Sequence, residues 1–289
     1  MRSPITIRPA TPRDEADVAR VVFEGFASIA NRHNFPLDFP SIDIATGFAR
    51  MVLNHPKFYG VIAETDGKFI GSNFLDERGE ITAVGPITID PAFQGRGAGR
   101  RLMQAVIERG QRASGIRLVQ DAFNTVSMSL YASLGFEIKE PLVLMQGTPA
   151  GHATGRGEAH GMTEEDLDGC ALLCRKVHGI DRVGELRDAI RMFKPMVLKR
   201  EGQVVAYLSA PTVWTLNHGV AQTEQDLTDL LLAAGAAQGE PLALLVPTRR
   251  ATFFRWCLES GLRVIKPLSL MAMGKYQEPQ GAFYPSVLY

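Results

Sequence analysis

The chain has 289 residues, of which 45% are apolar and 21% charged; this is the composition of a globular protein long enough for two ordinary domains, and it excludes a disordered chain. Lysine plus arginine and aspartate plus glutamate number 31 each, so no global charge points to nucleic acid or to a membrane surface, and recognition of a charged ligand has to be local. No apolar run approaches the roughly 20 residues of a membrane span, and the start at Met1–Ile7 reads as a strand rather than a signal peptide, so a cytoplasmic monomer or homodimer is expected.

A short strand is expected at Ile5–Arg8, then a helix capped by Thr11 and running from Pro12 to Ala30, with Val18, Val21, Val22, Phe26 and Ile29 on one stripe. The segment His33-Asn-Phe-Pro-Leu-Asp-Phe-Pro40 mixes aromatic rings with titratable groups; His33, Phe35 and Asp38 are candidate substrate contacts, although two prolines and two phenylalanines also suit a hydrophobic plug. A second helix follows over Ser41–Asn54, then strands over Tyr59–Glu64 and Phe69–Phe74 joined through Asp66-Gly67 as a hairpin turn, and a strand over Ile81–Ile89.

The stretch from Ile87 to Met103 passes from this strand through a glycine-rich turn into a basic helix start. Gly95, Gly97 and Gly99 let the backbone approach an anion, the helix aims free N–H groups and its positive dipole end at the same place, and Arg96, Arg100 and Arg101 add charge. That is a seat for a pyrophosphate. A dinucleotide fold would place such a turn after the first strand, and a Walker loop would end Gly-Lys-Ser/Thr where this one ends Gly99-Arg100-Arg101, so neither nucleotide reading fits. Beyond the helix with Leu102, Val106 and Ile107 come a strand over Arg117–Asp121, a helix over Ser127–Leu134 closed by Gly135, and two strands around Phe136–Ile138 and Leu142–Met145.

With Gln94-x-x-Gly97-x-Gly99 in this place, the loop resembles the acyl-coenzyme A loop of the Gcn5-related N-acetyltransferase (GNAT) family, and the order of elements is similar to that fold. The resemblance implies an α/β (α+β) protein with a mixed, mostly antiparallel twisted sheet and helices on both faces. It implies acetyl-coenzyme A as co-substrate without a metal, and a primary amine on a small molecule or a protein as acceptor, acetylated by direct transfer in a ternary complex. Coenzyme contacts would come from Ile87, Thr88 and Ile89, whose strand splays from its neighbour in the family, from Gln94, Gly95, Arg96, Gly97, Ala98, Gly99 and Arg100 in the loop, and from Asn124 and Ser127 at the next helix start.

Acetyl transfer to an amine asks for a neutral nucleophile, although an alkylammonium has a pKa of about 10, and for a proton on a departing thiolate whose thiol has a pKa of roughly 8.5. The segment Asn124–Phe136 resembles the family's helix in which a tyrosine four residues before the closing glycine reaches the coenzyme sulfur, which makes Tyr131 the candidate general acid. The base is less marked. Asp121 at a strand end is the candidate, with Glu64, Asp76, Glu77 or a water chain as alternatives.

Glycine and proline cluster at Gly147–Gly157, dividing the chain into 1–148 and 149–289. The second part repeats the first: Leu134–Met145 lies over Ser260–Met271 at an offset of 126, with Asp66-Gly67 matched by Glu201-Gly202. At an offset of 125, Gln94–Gly99 falls on Gly219-Val-Ala-Gln-Thr-Glu224, where the glycines are gone and Glu224 and Asp226 bring negative charge; at the offset of 126, Tyr131 falls on Cys257 and Asn124 on Arg250. Two tandem acetyltransferase-like domains are therefore expected, the second a degenerate copy that covers the first site or holds substrate. Cys170 and Cys174 read as small core residues, and a tail with Tyr276, Phe283, Tyr284 and Tyr289 either folds over the acceptor cleft or packs. Other readings are an acyl-coenzyme A sensor without turnover and a structural protein with a vestigial loop.

Overall fold

The computed structural model describes residues 4–288; Met1–Ser3 at the expected first strand and Tyr289 in the tail lie outside the described residues. The first half runs β1 (Thr6–Pro9), a 3₁₀ turn (Pro12–Asp14) leading into α1 (Glu15–His33), α2 (Ile42–Asn54), β2 (Phe58–Thr65), β3 (Lys68–Asp76), β4 (Ile81–Val84) and β5 (Thr88–Ile89). It continues through α3 (Ala98–Gly110), β6 (Gly115–Asp121), α4 (Thr125–Ser133) and β7 (Glu137–Gly147). The second half repeats the order as β8 (Glu158–Gly161), a 3₁₀ turn (Glu164–Asp166), α5 (Leu167–His178), α6 (Val183–Met192), β9 (Met196–Arg200), β10 (Gln203–Leu208), β11 (Gly219–Ala221), α7 (Glu224–Gln238), β12 (Leu242–Pro247), α8 (Ala251–Glu259) and β13 (Arg263–Gly274). The tail adds β14 (Ala282–Tyr284).

Both copies open their helical layer with the same device. Asp14 and Asp166 each accept hydrogen bonds from the backbone N–H and the hydroxyl of a threonine three residues earlier, Thr11 and Thr163, and each carboxylate is further bound by a cation, Arg8 or Lys199. The order is the one expected from the sequence, with two departures in the strands. The strand over Ile81–Ile89 is broken into β4 and β5, because near Gly85 the chain parts from β6 and shifts its register on β3 by one residue. The pair expected over Phe136–Met145 is one continuous strand, because Glu140, Leu142 and Leu144 bury a common face.

A nine-stranded sheet has the order β1-β2-β3-β4-β6-β13-β7-β12, with β5 on β3, and a five-stranded sheet has the order β14-β11-β10-β9-β8. Among these pairings only β4 with β6 is parallel. The halves exchange strands: β13 lies between β6 and β7, and β7 lies between β13 and β12. Glu140 pairs with Leu270 and Leu144 with Lys266 across the central β7–β13 contact; adding 126 to each first-half number turns one pair into the other, so the exchange has local two-fold symmetry. Leu102, Met103, Val106 and Tyr131 from α3 and α4 pack on one face of the first-half strands with Ile116 and Leu118. Val18, Val22, Ala45 and Ala49 from α1 and α2 pack on the other with Ile62 and Phe74. Leu142, Leu144, Leu245, Leu268 and Leu270 close the face at which the halves meet.

Candidate active site

β4 pairs with β6 from Ile81 opposite Gly115 to Ala83 opposite Arg117 and then turns away. The Gly85 N–H donates to the Phe74 carbonyl at 2.9 Å, and β5 continues along β3, with Thr88 opposite Ser72 and Ile89 opposite Gly71. The other edge of β5 has no strand partner among the described residues, and β6 beyond Arg117 is paired only on its β13 side. A wedge therefore opens between Ile87–Ile89 and Leu118–Asp121, with unpaired backbone groups on its walls.

The wedge leads to the glycine-rich loop. Asp90 accepts from Ala92 N–H at 2.9 Å, Gln94 Nε2 donates to the Ile89 carbonyl at 3.3 Å, and Arg96 donates to the Ala92 carbonyl while its guanidinium lies 4.9 Å from the Phe93 ring centre. Gly95 and Gly97 have φ of +72° and +88°, and a Cβ on either would meet open space, so glycine is required here by backbone conformation rather than by crowding. Ala98 opens α3, whose first-turn N–H groups have no partner within the helix. Gly99 lies against Leu130 of α4, Arg100 donates to Ser133 Oγ at 2.7 Å, and Arg101 reaches the Ile5 carbonyl. Backbone donors, the dipole, Arg96 and Arg100 thus lie toward the mouth of the wedge, while Arg101 turns to the segment before β1; the arrangement suits a ligand that enters with a pyrophosphate and extends an amide-bearing arm inward.

On the far wall, Asn124 caps α4 by accepting from the Ser127 N–H at 3.3 Å, and Ser127 Oγ donates to Gln120 Oε1 at 2.9 Å. The Tyr131 ring is buried against Phe136, with centres 6.3 Å apart, and no described residue hydrogen-bonds its phenol. Burial and, second, the charge of Asp121 push its pKa well above the ordinary value of about 10, so it holds its proton at neutral pH.

Side chains alternate along β6: Leu118 and Gln120 face α3 and α4, whereas Val119 and Asp121 face the opposite side. There Asp121 Oδ1 lies 2.7 Å from Lys266 Nζ of β13, which also donates to Asp38 Oδ1 and Oδ2 at 2.6 and 2.8 Å. The ammonium sits 4.9 Å from the Trp214 ring centre and Lys266 is 2% exposed. Desolvation raises the Asp38 pKa against the lowering effect of Lys266, and Asp121 raises it further. Beside this cluster Phe35 stacks on Phe123 at 4.3 Å and His33 lies 5.1 Å from the same ring.

The structure thus brings Asp121, Asp38, Phe35 and His33 to one face. Glu64, Asp76 and Glu77 are instead held by Arg8, Arg78 and Arg109. Lys266, Trp214 and Phe123 escaped sequence reasoning. The available signal was the repeat, which sets Lys266-Pro267 over Glu140-Pro141. Among the described residues no group of three or more histidine, cysteine, aspartate or glutamate side chains is arranged to hold a metal.

The corresponding place in the second half is built differently. The overlay of Gln94–Gly99 on Gly219–Glu224 does not hold in space: Gly219–Ala221 is the buried strand β11 itself, and only Gln222 and Thr223 separate it from α7, where residues 90–97 separate β5 from α3. The glycine-rich loop is shortened from eight residues to two rather than substituted, and the ten-residue β10–β11 connection carries Trp214. Thr223 Oγ1 accepts from Asp226 N–H and caps α7, and Asp226 is bound by Arg200. The tail does not cross the first acceptor face as a strand; β14 pairs antiparallel with β11, Gly219 opposite Tyr284 and Ala221 opposite Ala282, on the edge that faces β12. A Cβ on Gly219 would stand 2.3 Å from the Tyr284 ring, and Tyr284 Oη donates to Asn217 Oδ1 at 3.0 Å. Arg182 anchors the segment beyond through Ser286 Oγ at 2.8 Å and the Leu288 carbonyl at 3.0 Å. Cys257, aligned with Tyr131, is buried and its thiol is pushed up to about 12 by burial; Cys170 and Cys174 are also buried and free.

The sequence model of the Acetyltransferase (GNAT) family matches residues 26–136. No curated protein matches the chain in sequence. Among solved structures the chain is similar to a candidate acetyltransferase from Pyrococcus horikoshii, with a TM-score of 0.72 at 17% identity over 99% of this chain and 94% of that one. It is also similar to a GCN5-related N-acetyltransferase from Sphaerobacter thermophilus, with a TM-score of 0.62 at 15% identity over 95% and 96% of the two chains. A tandem GNAT protein from the clavulanic acid biosynthesis pathway gives 0.59 at 12% identity over 95% and 100%. Residues 26–136 belong to the acetyltransferase (GNAT) family, and the whole chain has the tandem form of its fold.

Proposed function

We propose that this protein is an acetyl-coenzyme A dependent N-acetyltransferase acting on a primary amine by direct transfer, with 1–148 as the working domain and 149–289 as a copy that has lost coenzyme binding. The observation that carries the reading is the wedge beside Ile87–Ile89, open to α3 through a loop whose Gly95 and Gly97 take positive φ. In the second half a strand of the chain's own tail fills the corresponding place.

When bound, acetyl-coenzyme A would supply the thioester. The residues that suit it are Gln94, Gly95, Arg96, Gly97, Ala98, Gly99 and Arg100 for the pyrophosphate, Ile87, Thr88 and Ile89 for the arm, and Asn124 and Ser127 at the far wall. Tyr131 holds a proton for the departing thiolate, and its raised pKa keeps that proton in place near neutral pH. Asp121 faces the acceptor side and takes the proton of the amine, directly or through water, while His33, Phe35 and Asp38 line the approach. The three cysteines are buried with no activating base, which favours direct transfer over an acylated enzyme.

Calorimetric titration with acetyl-coenzyme A, followed by thiol release over a panel of primary amines, tests the reading. One bound coenzyme per chain with amine-dependent thiol release is expected. No binding at millimolar ligand, or binding without release for every amine, would reject it.

A further inference from the structure

A buried lysine is costly. Removing an ammonium from water carries a penalty of several kcal/mol after relaxation, and replacing a buried ion cluster by apolar residues is often neutral or stabilising. Lys266 nevertheless sits at 3% side-chain exposure between Asp38 and Asp121, at 8% and 11%. Its partners lie on different elements of the first half, the loop after α1 and the end of β6, while Lys266 itself arrives on the exchanged strand β13. The same exchange carries Glu140, its equivalent under the repeat, into the second half, where it lies 3.6 Å from Arg249 and leaves Oε1 without a partner. Each copy thus sends one charged residue, followed by proline, into the other copy's acceptor face.

We infer that Lys266 is a positioning residue for acetyl transfer in the first half, donated by the second half, which aligns Asp121 and Asp38 and leaves the acceptor face with one net negative charge for a cationic amine. This rests on the reading of Asp121 as the group that accepts the amine proton. Two carboxylates this close repel, and without a cation between them one would protonate or swing away. With Nζ bonded to both, Asp121 is fixed at the inner end of the face and Asp38 closes its outer wall beside Phe35. On the same face His33, beside Phe123, is the other titratable group, and Asp121 also acts on Tyr131 across the strand; Trp214, which covers the ammonium, carries no titratable group. The degenerate half is therefore part of the working site rather than a cover for it.

The test uses the full chain with Lys266→Met, Lys266→Arg and Asp38→Asn, each checked for folding by thermal melting and for coenzyme binding by calorimetry. Lys266→Met is expected to keep the wild-type affinity for acetyl-coenzyme A, to lower kcat/KM by about tenfold or more, and to move the acid limb of its pH profile upward, because the cation between the two carboxylates is lost. Lys266→Arg restores the limb. Asp38→Asn moves it downward, because one negative neighbour of Asp121 is gone. An acid limb unmoved in folded Lys266→Met, or moved in the same direction by Lys266→Met and Asp38→Asn, overturns the proposal. If Lys266→Met does not fold, Lys266→Arg and Asp38→Asn decide by the same signs. If the wild-type chain turns over no amine, the functional reading has failed separately, and carboxyl ¹³C titration of Asp121 in the same variants still tests the positioning: opposite shifts support it, and equal or absent shifts reject it.

Discussion

The two halves have one fold and opposite treatments of its opening. In the first half β4 separates from β6 beyond Ala83 and the edge stays free; in the second, β14 lies along β11 and Tyr284 packs on Gly219. The first opening ends in a glycine-rich loop of residues 90–97, and the second in a two-residue link capped by Thr223. A backbone edge exposed in a cleft needs a partner. In the second copy the chain supplies its own, where the first stays open; on the proposed reading, the second copy's loss of coenzyme binding is then a filled opening as well as a shortened loop.

The sharpest break in that contrast is Gly97→Val. A β-branched residue at φ +88° is strained, and loss of the turn should weaken acetyl-coenzyme A binding by about 100-fold or more in calorimetry, equivalent to roughly 2.7 kcal/mol. At the matching place Thr223→Val should leave binding unchanged and lower stability by about 1 kcal/mol through the lost cap. Next, Tyr131→Phe should lower kcat by about 100-fold near neutral pH at unchanged coenzyme affinity, whereas Cys257→Ala, at the aligned position, should leave kcat as it is; thiol release measures both.

Tyr284→Ala addresses the filled opening. It should cost about 3–5 kcal/mol in denaturant unfolding without creating a second coenzyme site, so the titration stoichiometry stays at one; a stoichiometry of two would show that the tail alone suppresses a competent site.

The smallest effect concerns what the halves share. Hydrogen bonds from Arg8 hold the Asp14 carboxyl below its ordinary range, and at Asp166 the bonds from Lys199 and Thr163 do the same against an opposing desolvation. A carboxyl with a depressed folded pKa stabilises above its unfolded pKa, about 3.9, and loses that contribution as the pH falls through the lower folded value. Asp14→Asn and Asp166→Asn should therefore each cost about 1 kcal/mol at neutral pH, and the difference from wild type should shrink below about pH 3 in urea unfolding.

Much of the first site was legible because its signals are local. Positive-φ glycines, a helix start and a capping asparagine lie within a few residues of one another, and their chemistry follows from conformations that those residues alone favour. The repeat was legible from apolar pattern and turns, and it named the right counterpart of Tyr131 in Cys257. It misplaced the loop counterpart, because the link before α7 is six residues shorter than the loop of residues 90–97, and an ungapped overlay cannot see such a deletion. Asp121 and Asp38 stood out as separate titratable groups with no indication that they meet.

By itself, then, the sequence determined two copies of one fold, a glycine-rich turn before a helix start in the first, and the capped helix with its tyrosine downstream of it, since each depends on near neighbours along the chain. Tertiary structure decided the exchange of β7 and β13, the tail strand in the second opening, and the cluster of Asp38, Asp121 and Lys266. Asp38 and Lys266 are 228 positions apart. Which strand fills a gap in a sheet, and which cation meets a buried carboxylate, is fixed by backbone pairing and desolvation among segments that only the folded chain brings together.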